Sequence, residues 1–247
     1  MQRVIVAPDQ ITADRVLLTP EQSHYLYRVL RLGAGDRFLL GDGQGGQWSA
    51  LLGPEAGTAT LTPLPHQAPT APTQALTLAA ALPKQGFDEV VRQATELGVR
   101  EIVPILSDRT LLRPSPNKLQ RWQRIATEAA EQSEHTTVPL VHAPVAWGTW
   151  LAQSTSDRRW ICVARQDCPH VLHQGQQDWP WHTLTLAIGP EGGWTPAEVT
   201  AAIAAGYQPV SLGPHILRAV TASIAAIALI QGIPNSLKSV HPCSFNL

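Results

Sequence analysis

The residues with the most chemical content fall in two phrases near the C-terminal end. They are Ile188-Gly189-Pro190-Glu191-Gly192-Gly193-Trp194 and Ser211-Leu212-Gly213-Pro214-His215-Ile216-Leu217-Arg218. Glycine carries no side chain, so backbone N–H and C=O groups there can approach a ligand closely. The first phrase is not a phosphate-binding P-loop, because no Gly-Lys-Ser/Thr follows, and it lacks the Gly-x-Gly-x-x-Gly spacing of a dinucleotide site. A neutral, adenosine-like ligand held by backbone groups fits it better; taken alone, the same residues also suit a plain strand-to-helix turn. The second phrase ends on Arg218 at a predicted helix start, where the helix dipole already places positive charge. An anionic ligand, a developing negative charge or a neighbouring carboxylate such as Glu191 would offset that cost.

Each phrase follows a strand-like run and precedes a helix-like run, which puts both at the edge of an α/β sheet where ligands bind. The chain around them alternates. Strands are predicted over 76–82, 99–106, 160–164, 184–188 and 209–212, and helices over 87–97, 118–133, 196–205 and 217–231. Gly98 and Gly206 close two of these helices, and Thr195 caps the start of one. Such alternation predicts an α/β fold with a mostly parallel sheet and helices on its faces. The last helix is rich in Ala and Ile nearly all round, which predicts burial and makes it a candidate subunit interface.

The stretch 62–75 holds four prolines among small polar residues and reads as a semi-extended linker between domains. The expected organisation is a small, mostly β domain over 1–70, an α/β domain over 71–235 and a flexible tail over 236–247. One helix interrupts the first domain. Thr19 can cap it, Pro20 suits its first position, and Gly33 would end it after Leu32. Its apolar stripe would be Leu26, Val29 and Leu30. His24, Arg28 and Arg31, spaced i, i+4, i+7, would point the other way. That face reads as a solvated surface or as an RNA-backbone contact.

The chain has 247 residues, 44% of them hydrophobic and 15% charged, which suits a folded protein with a substantial core. A net charge of −1 does not announce a nucleic-acid binder, although all 18 basic residues except Lys84, Lys118 and Lys238 are arginine. Three irregularly spaced cysteines, Cys162, Cys168 and Cys243, form neither a disulfide framework nor a zinc motif, and no metal is expected. No apolar run reaches membrane-spanning length and the start lacks a secretory pattern, so a soluble cytoplasmic protein is expected.

Five collinear segments carry a resemblance: His24–Arg31, Ala94–Val99, Arg121–Ser133 and the two glycine phrases. On these the chain resembles the bacterial methyltransferases of the knotted SPOUT class that methylate uracil N3 in 16S rRNA. The resemblance implies a PUA-like β-barrel followed by an α/β trefoil-knot domain, S-adenosylmethionine as cofactor, 16S rRNA or the small ribosomal subunit as partner, and a homodimer. With that cofactor, the expected contacts are Ala164, Ile188, Gly189, Pro190, Glu191, Gly193, Leu212, Gly213, Ile216 and Leu217; the face of His24, Arg28 and Arg31 is the candidate RNA contact, and Arg218, a fixed cation for a developing uracil anion, is the candidate catalytic residue. The chain departs from the family pattern after Leu217-Arg218, where Thr-Glu-Thr is usual and it has Ala219-Val220-Thr221, and at position 215, often Arg, where it has His215. A mechanism that uses that glutamate as base cannot operate here. The alternatives are a scaffold that binds RNA without catalysis, or methylation of another RNA position.

Overall fold

The computed structural model describes residues 2–55, 57–65, 74–111 and 114–237, with side chains described as far as 233. Most of the proline-rich linker (66–73), Lys238, Cys243 and the tail beyond 237 lie outside the described residues. The chain divides into two compact units. The first is Met1–Ala71 with Arg124–Val138, and the second is Pro72–Gln123 with Pro139–Leu247. The sequence boundary near 70 assigns residues 124–138 to the second domain; in the structure they group with the first.

The first unit holds β1 (Arg3–Ile5), β2 (Ile11–Thr12), β3 (Arg15–Leu17), β4 (Arg37–Gly41), β5 (Gln47–Leu52) and β6 (Thr58–Pro63). They pair in the order β1-β4-β5-β6-β3-β2, all antiparallel except β1 on β4. Alternate residues such as Phe38, Leu40, Ala50 and Leu52 point into one buried core, as period-two patterning requires. The glycine-rich turn between β4 and β5 is set by Asp42, whose Oδ1 accepts from the N–H groups of Gln44 (2.7 Å) and Gly46 (2.9 Å).

The single helix of this segment starts as expected. Thr19 accepts from Gln22 N–H, Gln22 reaches back to Thr19 N–H, and Pro20 opens α1 (Pro20–His24). It then widens into one π-helical turn, Tyr25–Val29, in which Leu30 N–H bonds the Tyr25 carbonyl at 2.9 Å. The extra residue in the turn shifts the helix phase. Leu26 stays fully buried, Tyr27 and Leu30 pack against the core, and Val29 is 57% exposed, so the predicted stripe through Val29 is corrected. The helix ends at Val29 with Leu30 as its C-cap, short of Gly33, and Arg31 beyond it takes φ 58. Arg31 therefore does not continue a helical face with His24 and Arg28.

The second unit runs β7 (Ala75–Ala81), α2 (Phe87–Glu96), β8 (Glu101–Leu106), the first half of α3 (Pro116–Gln132, of which residues 124–132 group with the first unit), β9 (Leu140–Val141), β10 (Val145–Ala146), α4 (Trp147–Gln153), β11 (Arg158–Cys162), α5 (Val171–Gln177), β12 (Thr183–Ile188), α6 (Pro196–Ala204), β13 (Gln208–Val210) and α7 (Ala219–Leu237). The sheet order is β10-β8-β7-β12-β11-β13 with β9 beside β8, and every pair is parallel. A parallel sheet covered on both faces needs nearly continuous apolar strands. Leu76, Leu78, Val103, Ile161 and Leu186 are accordingly inaccessible. Asp88 ties α2 to α3 by accepting from Arg121 Nε (2.8 Å) and Trp122 Nε1 (3.0 Å), and the Phe87 and Trp122 rings meet edge-on at 4.7 Å.

Helix α7 is less uniform than its composition suggests. Ala219, Ser223, Ala226, Ile227, Ile230 and Ile233 form one buried face at helical spacing, packed on α2 and α5. Thr221, Ala228 and Gly232 are exposed on the other side, and Ile224, Ala225 and Leu229 are half-buried. The helix also starts at Ala219, not 217, and continues through Pro234 to Leu237 rather than stopping at Gln231.

Glu131 is a half-buried carboxyl of the first unit. Its Oε1 accepts from Ile5 N–H at 2.6 Å, and burial, with a smaller push from Glu128, raises its pKa above the ordinary value of 4.5. A carboxyl whose folded pKa is raised contributes stability below its unfolded pKa and loses that contribution as pH rises through the folded value. Glu131→Gln keeps an acceptor for Ile5 and removes the titration. The wild type should therefore lose stability relative to Glu131→Gln as pH rises from about 4.5 towards neutrality, read as urea midpoints at a series of pH values.

Candidate active site

All strands of the second sheet run the same way, so their carboxyl ends lie along one edge. Four of the loops leaving that edge line one cavity of about 340 Å³. Arg109 comes from the loop after β8, Ala164–Gln166 from the loop after β11, residues 189–194 from the loop after β12, and residues 212–217 from the loop after β13. Ligand sites in open α/β sheets form at such an edge because the loops converge there while the strands stay rigid.

The glycines are placed where side chains would interfere. A Cβ on Gly189 would stand 3.1 to 3.2 Å from the Trp194 indole, which stacks on Trp147 at 4.6 Å. Gly193 (φ 69) and Gly213 (φ 108) take the left-handed backbone that glycine tolerates. The first turn closes with Gly193 N–H on the Pro190 carbonyl at 2.8 Å, and Gly213 N–H bonds Ser211 Oγ at 3.1 Å.

The first loop is anchored where it meets α6. Thr195 caps the helix by accepting Glu198 N–H, and Glu198 Oε2 accepts Thr195 N–H at 2.8 Å. Glu198 Oε1 takes Asp108 N–H at 2.9 Å, and Asp108 Oδ2 accepts the Thr195 hydroxyl at 3.2 Å. The β8 loop and the α6 start are thereby locked together through a carboxylate only 6% exposed.

Every residue expected from the sequence to touch cofactor lines this cavity: Ala164, Ile188, Gly189, Pro190, Glu191, Gly193, Leu212, Gly213, Ile216 and Leu217. Glu191 does not pair with Arg218; its Oε1 accepts Lys84 N–H at 2.9 Å. Arg218 is exposed, stands one residue before α7 with its carbonyl accepting Ala222 N–H, and is not among the lining residues. Val220 is also off the cavity wall and lies against Gly86, where a Cβ would meet it at 3.0 Å. His24, Arg28 and Arg31 belong to the first unit and are exposed. Arg109, Arg165 and Gln166, which lie outside the two glycine phrases, also line the cavity, as does Trp194 at the end of the first phrase. The signal for the first three was position alone, just past predicted strands. Cys162 also lines it, and burial, with a smaller effect from Cys168, raises its thiol above the usual range, which favours the neutral form.

The cavity suits S-adenosylmethionine. It offers apolar walls from Ile188, Val163 and Leu217, open space above the Cα atoms of Gly193 and Gly213, and a buried Trp194 indole N–H with no partner among the described residues.

Comparison with known proteins agrees. A family model for an RNA methyltransferase domain matches residues 69–231, and one for an RNA methyltransferase PUA domain matches residues 18–61. The chain is 48% identical over 239 residues to ribosomal RNA small subunit methyltransferase E of a Synechocystis strain, covering 95% of this chain and 78% of that protein. The chain belongs to the ribosomal RNA small subunit methyltransferase E family. A crystal structure of a family member from Neisseria gonorrhoeae bound to S-adenosyl methionine is 31% identical with a TM-score of 0.81, covering 94% of this chain and 98% of that one. A probable rRNA-methyltransferase from Porphyromonas gingivalis is 27% identical with a TM-score of 0.81, covering 96% and 100%. The fold class expected from the sequence, a PUA-like β domain preceding an α/β domain, is the one the family carries.

Removing the Glu198 carboxylate should expose how much the family's cofactor edge depends on it. Glu198→Ala leaves the Asp108 and Thr195 N–H groups without their acceptor. It should cost about 2–3 kcal/mol in urea unfolding, and Glu198→Gln, which retains one acceptor oxygen, should cost less.

Proposed function

We propose that the protein transfers a methyl group from S-adenosylmethionine to N3 of a uridine in 16S rRNA of the small ribosomal subunit. The observation that supports this most is the convergence of both glycine phrases on one cavity in a chain of this family. When bound, S-adenosylmethionine supplies an activated methyl carbon. What remains for the protein is alignment and handling of the N3 proton. Loss of that proton spreads negative charge onto the ring carbonyl oxygens, and a fixed cation beside them lowers the barrier. We assign that cation to Arg218, which has no ion-pair partner among the described residues and cannot itself act as base. Glu191, whose second carboxylate oxygen makes no bond among the described residues, or solvent takes the proton. The first unit, through His24, Arg28 and Arg31, positions RNA by its phosphates.

We also propose a homodimer through the free side of α7, with the chain threaded in the knot that the resemblance implies. Ile227 is buried within its own chain, so a charge there would unfold the protein. Ala228 is exposed on the opposite side. Ala228→Glu should give a folded monomer in sedimentation at micromolar concentration; a dimer that survives it places the interface elsewhere.

The substitution at Val220 favours one second reading, a scaffold that binds RNA without methylating it. Mass spectrometry of 16S rRNA nucleosides from cells lacking and regaining the gene decides between them. Restored N3-methyluridine supports the proposal, and an unchanged nucleoside profile supports the second reading. In the purified protein, Arg218→Ala should lower the single-turnover rate ~100-fold with cofactor affinity nearly unchanged.

A further inference from the structure

Arg109 has a task that the cavity description leaves open. Its aliphatic stem lies flat over Gly192: a Cβ there would stand 3.1 Å from Arg109 Cδ and 3.6 Å from its Cβ. Its Nη1 donates to the Gly192 carbonyl. The neighbouring Asp108 is held by Glu198 and Thr195, so the backbone that carries Arg109 is fixed as well. The rest of the guanidinium has no partner among the described residues, and Arg109 is exposed at the cavity wall. An arginine already pinned by one N–H and by its stem has lost most of its side-chain entropy before any ligand arrives, and its remaining planar donors match an oxyanion. The charged groups lining the cavity are Arg109, Arg165, Glu191 and the titratable His215, and Glu191 already accepts from Lys84. With two arginines against one carboxylate, the lining carries net positive charge.

We propose that Arg109 is an oxyanion receptor at the cavity, taking either the carboxylate of the cofactor's amino-acid end or a phosphate of the RNA strand. This rests on the reading that the cavity holds S-adenosylmethionine. Gly192 is part of the device, because only a residue without a side chain lets the stem approach.

Arg109→Gln separates this role from that of a loop fastener, since a glutamine amide can still donate to Gly192 while the charge is gone. Three affinities are measured: S-adenosylhomocysteine and 5′-methylthioadenosine by calorimetry, and 16S rRNA by filter binding over a salt series. A carboxylate ligand predicts ~10-fold weaker S-adenosylhomocysteine with 5′-methylthioadenosine unchanged, because the latter lacks the amino-acid end. A phosphate ligand predicts ~10-fold weaker RNA and a shallower salt slope with both small ligands unchanged. Equal weakening of both small ligands, or no change in any of the three, overturns the proposal. Wild-type protein that fails to bind S-adenosylhomocysteine refutes the cofactor reading instead, and the RNA arm still decides the fate of Arg109.

Discussion

The carboxyl edge of the second sheet depends on one buried carboxylate. Glu198 is nearly inaccessible and has no cationic partner among the described residues, so hydrogen bonds must meet its carboxylate. Two backbone N–H groups meet it, one from Asp108 beyond β8 and one from Thr195 at the start of α6. These donors are 87 positions apart in sequence, counted from Asp108 to Thr195 as in the side-chain bond between them. The glycine turn between β12 and α6 is therefore held at its far end by α6 and from the side by the β8 loop. Trp194, stacked on Trp147, closes the same junction with apolar surface. A loop of glycines is entropically expensive to order, and here the ordering comes from its neighbours, not from its own side chains.

The parallel sheet makes this arrangement possible. An antiparallel sheet would send alternate loops to opposite edges, whereas each crossover helix here returns the chain to the same starting edge. Loops after β8, β11, β12 and β13 thus meet although they are spread from residue 107 to 217. The central strands beneath, β7, β8 and β12, are buried over nearly their whole length, so the cavity stands on a closely packed part of the unit.

Some of this was legible in the sequence. The two glycine phrases read as strand-to-helix turns because glycine and proline punctuate apolar runs, and Thr195 read as a cap by residue type. Arg109 was not legible: its neighbours are ordinary turn residues, and its importance comes from Gly192, 83 positions away. The π-turn at Tyr25–Val29 was hidden for a different reason. Its residues satisfy an α-helical pattern, and only the core decides that Leu26, Tyr27 and Leu30 face inward while Val29 does not. Composition also overstated the burial of α7, since small residues such as Ala228 and Gly232 suit an exposed surface as readily as a packed one.

The change at position 220 gains meaning from where the side chain lies. Gly86 adopts φ 89 before α2, and the space above its Cα is filled by Val220 Cγ2. The turn from Lys84 to Gly86 is thus bracketed, by Val220 on one side and by Glu191 accepting Lys84 N–H on the other. Val220 fills this half-buried position with an apolar side chain that needs no partner, where a carboxylate, the residue the resemblance leads one to expect, would need one. Glu191 is the carboxylate among the residues lining the cavity, and its Oε1 is held by the Lys84 N–H of that same turn.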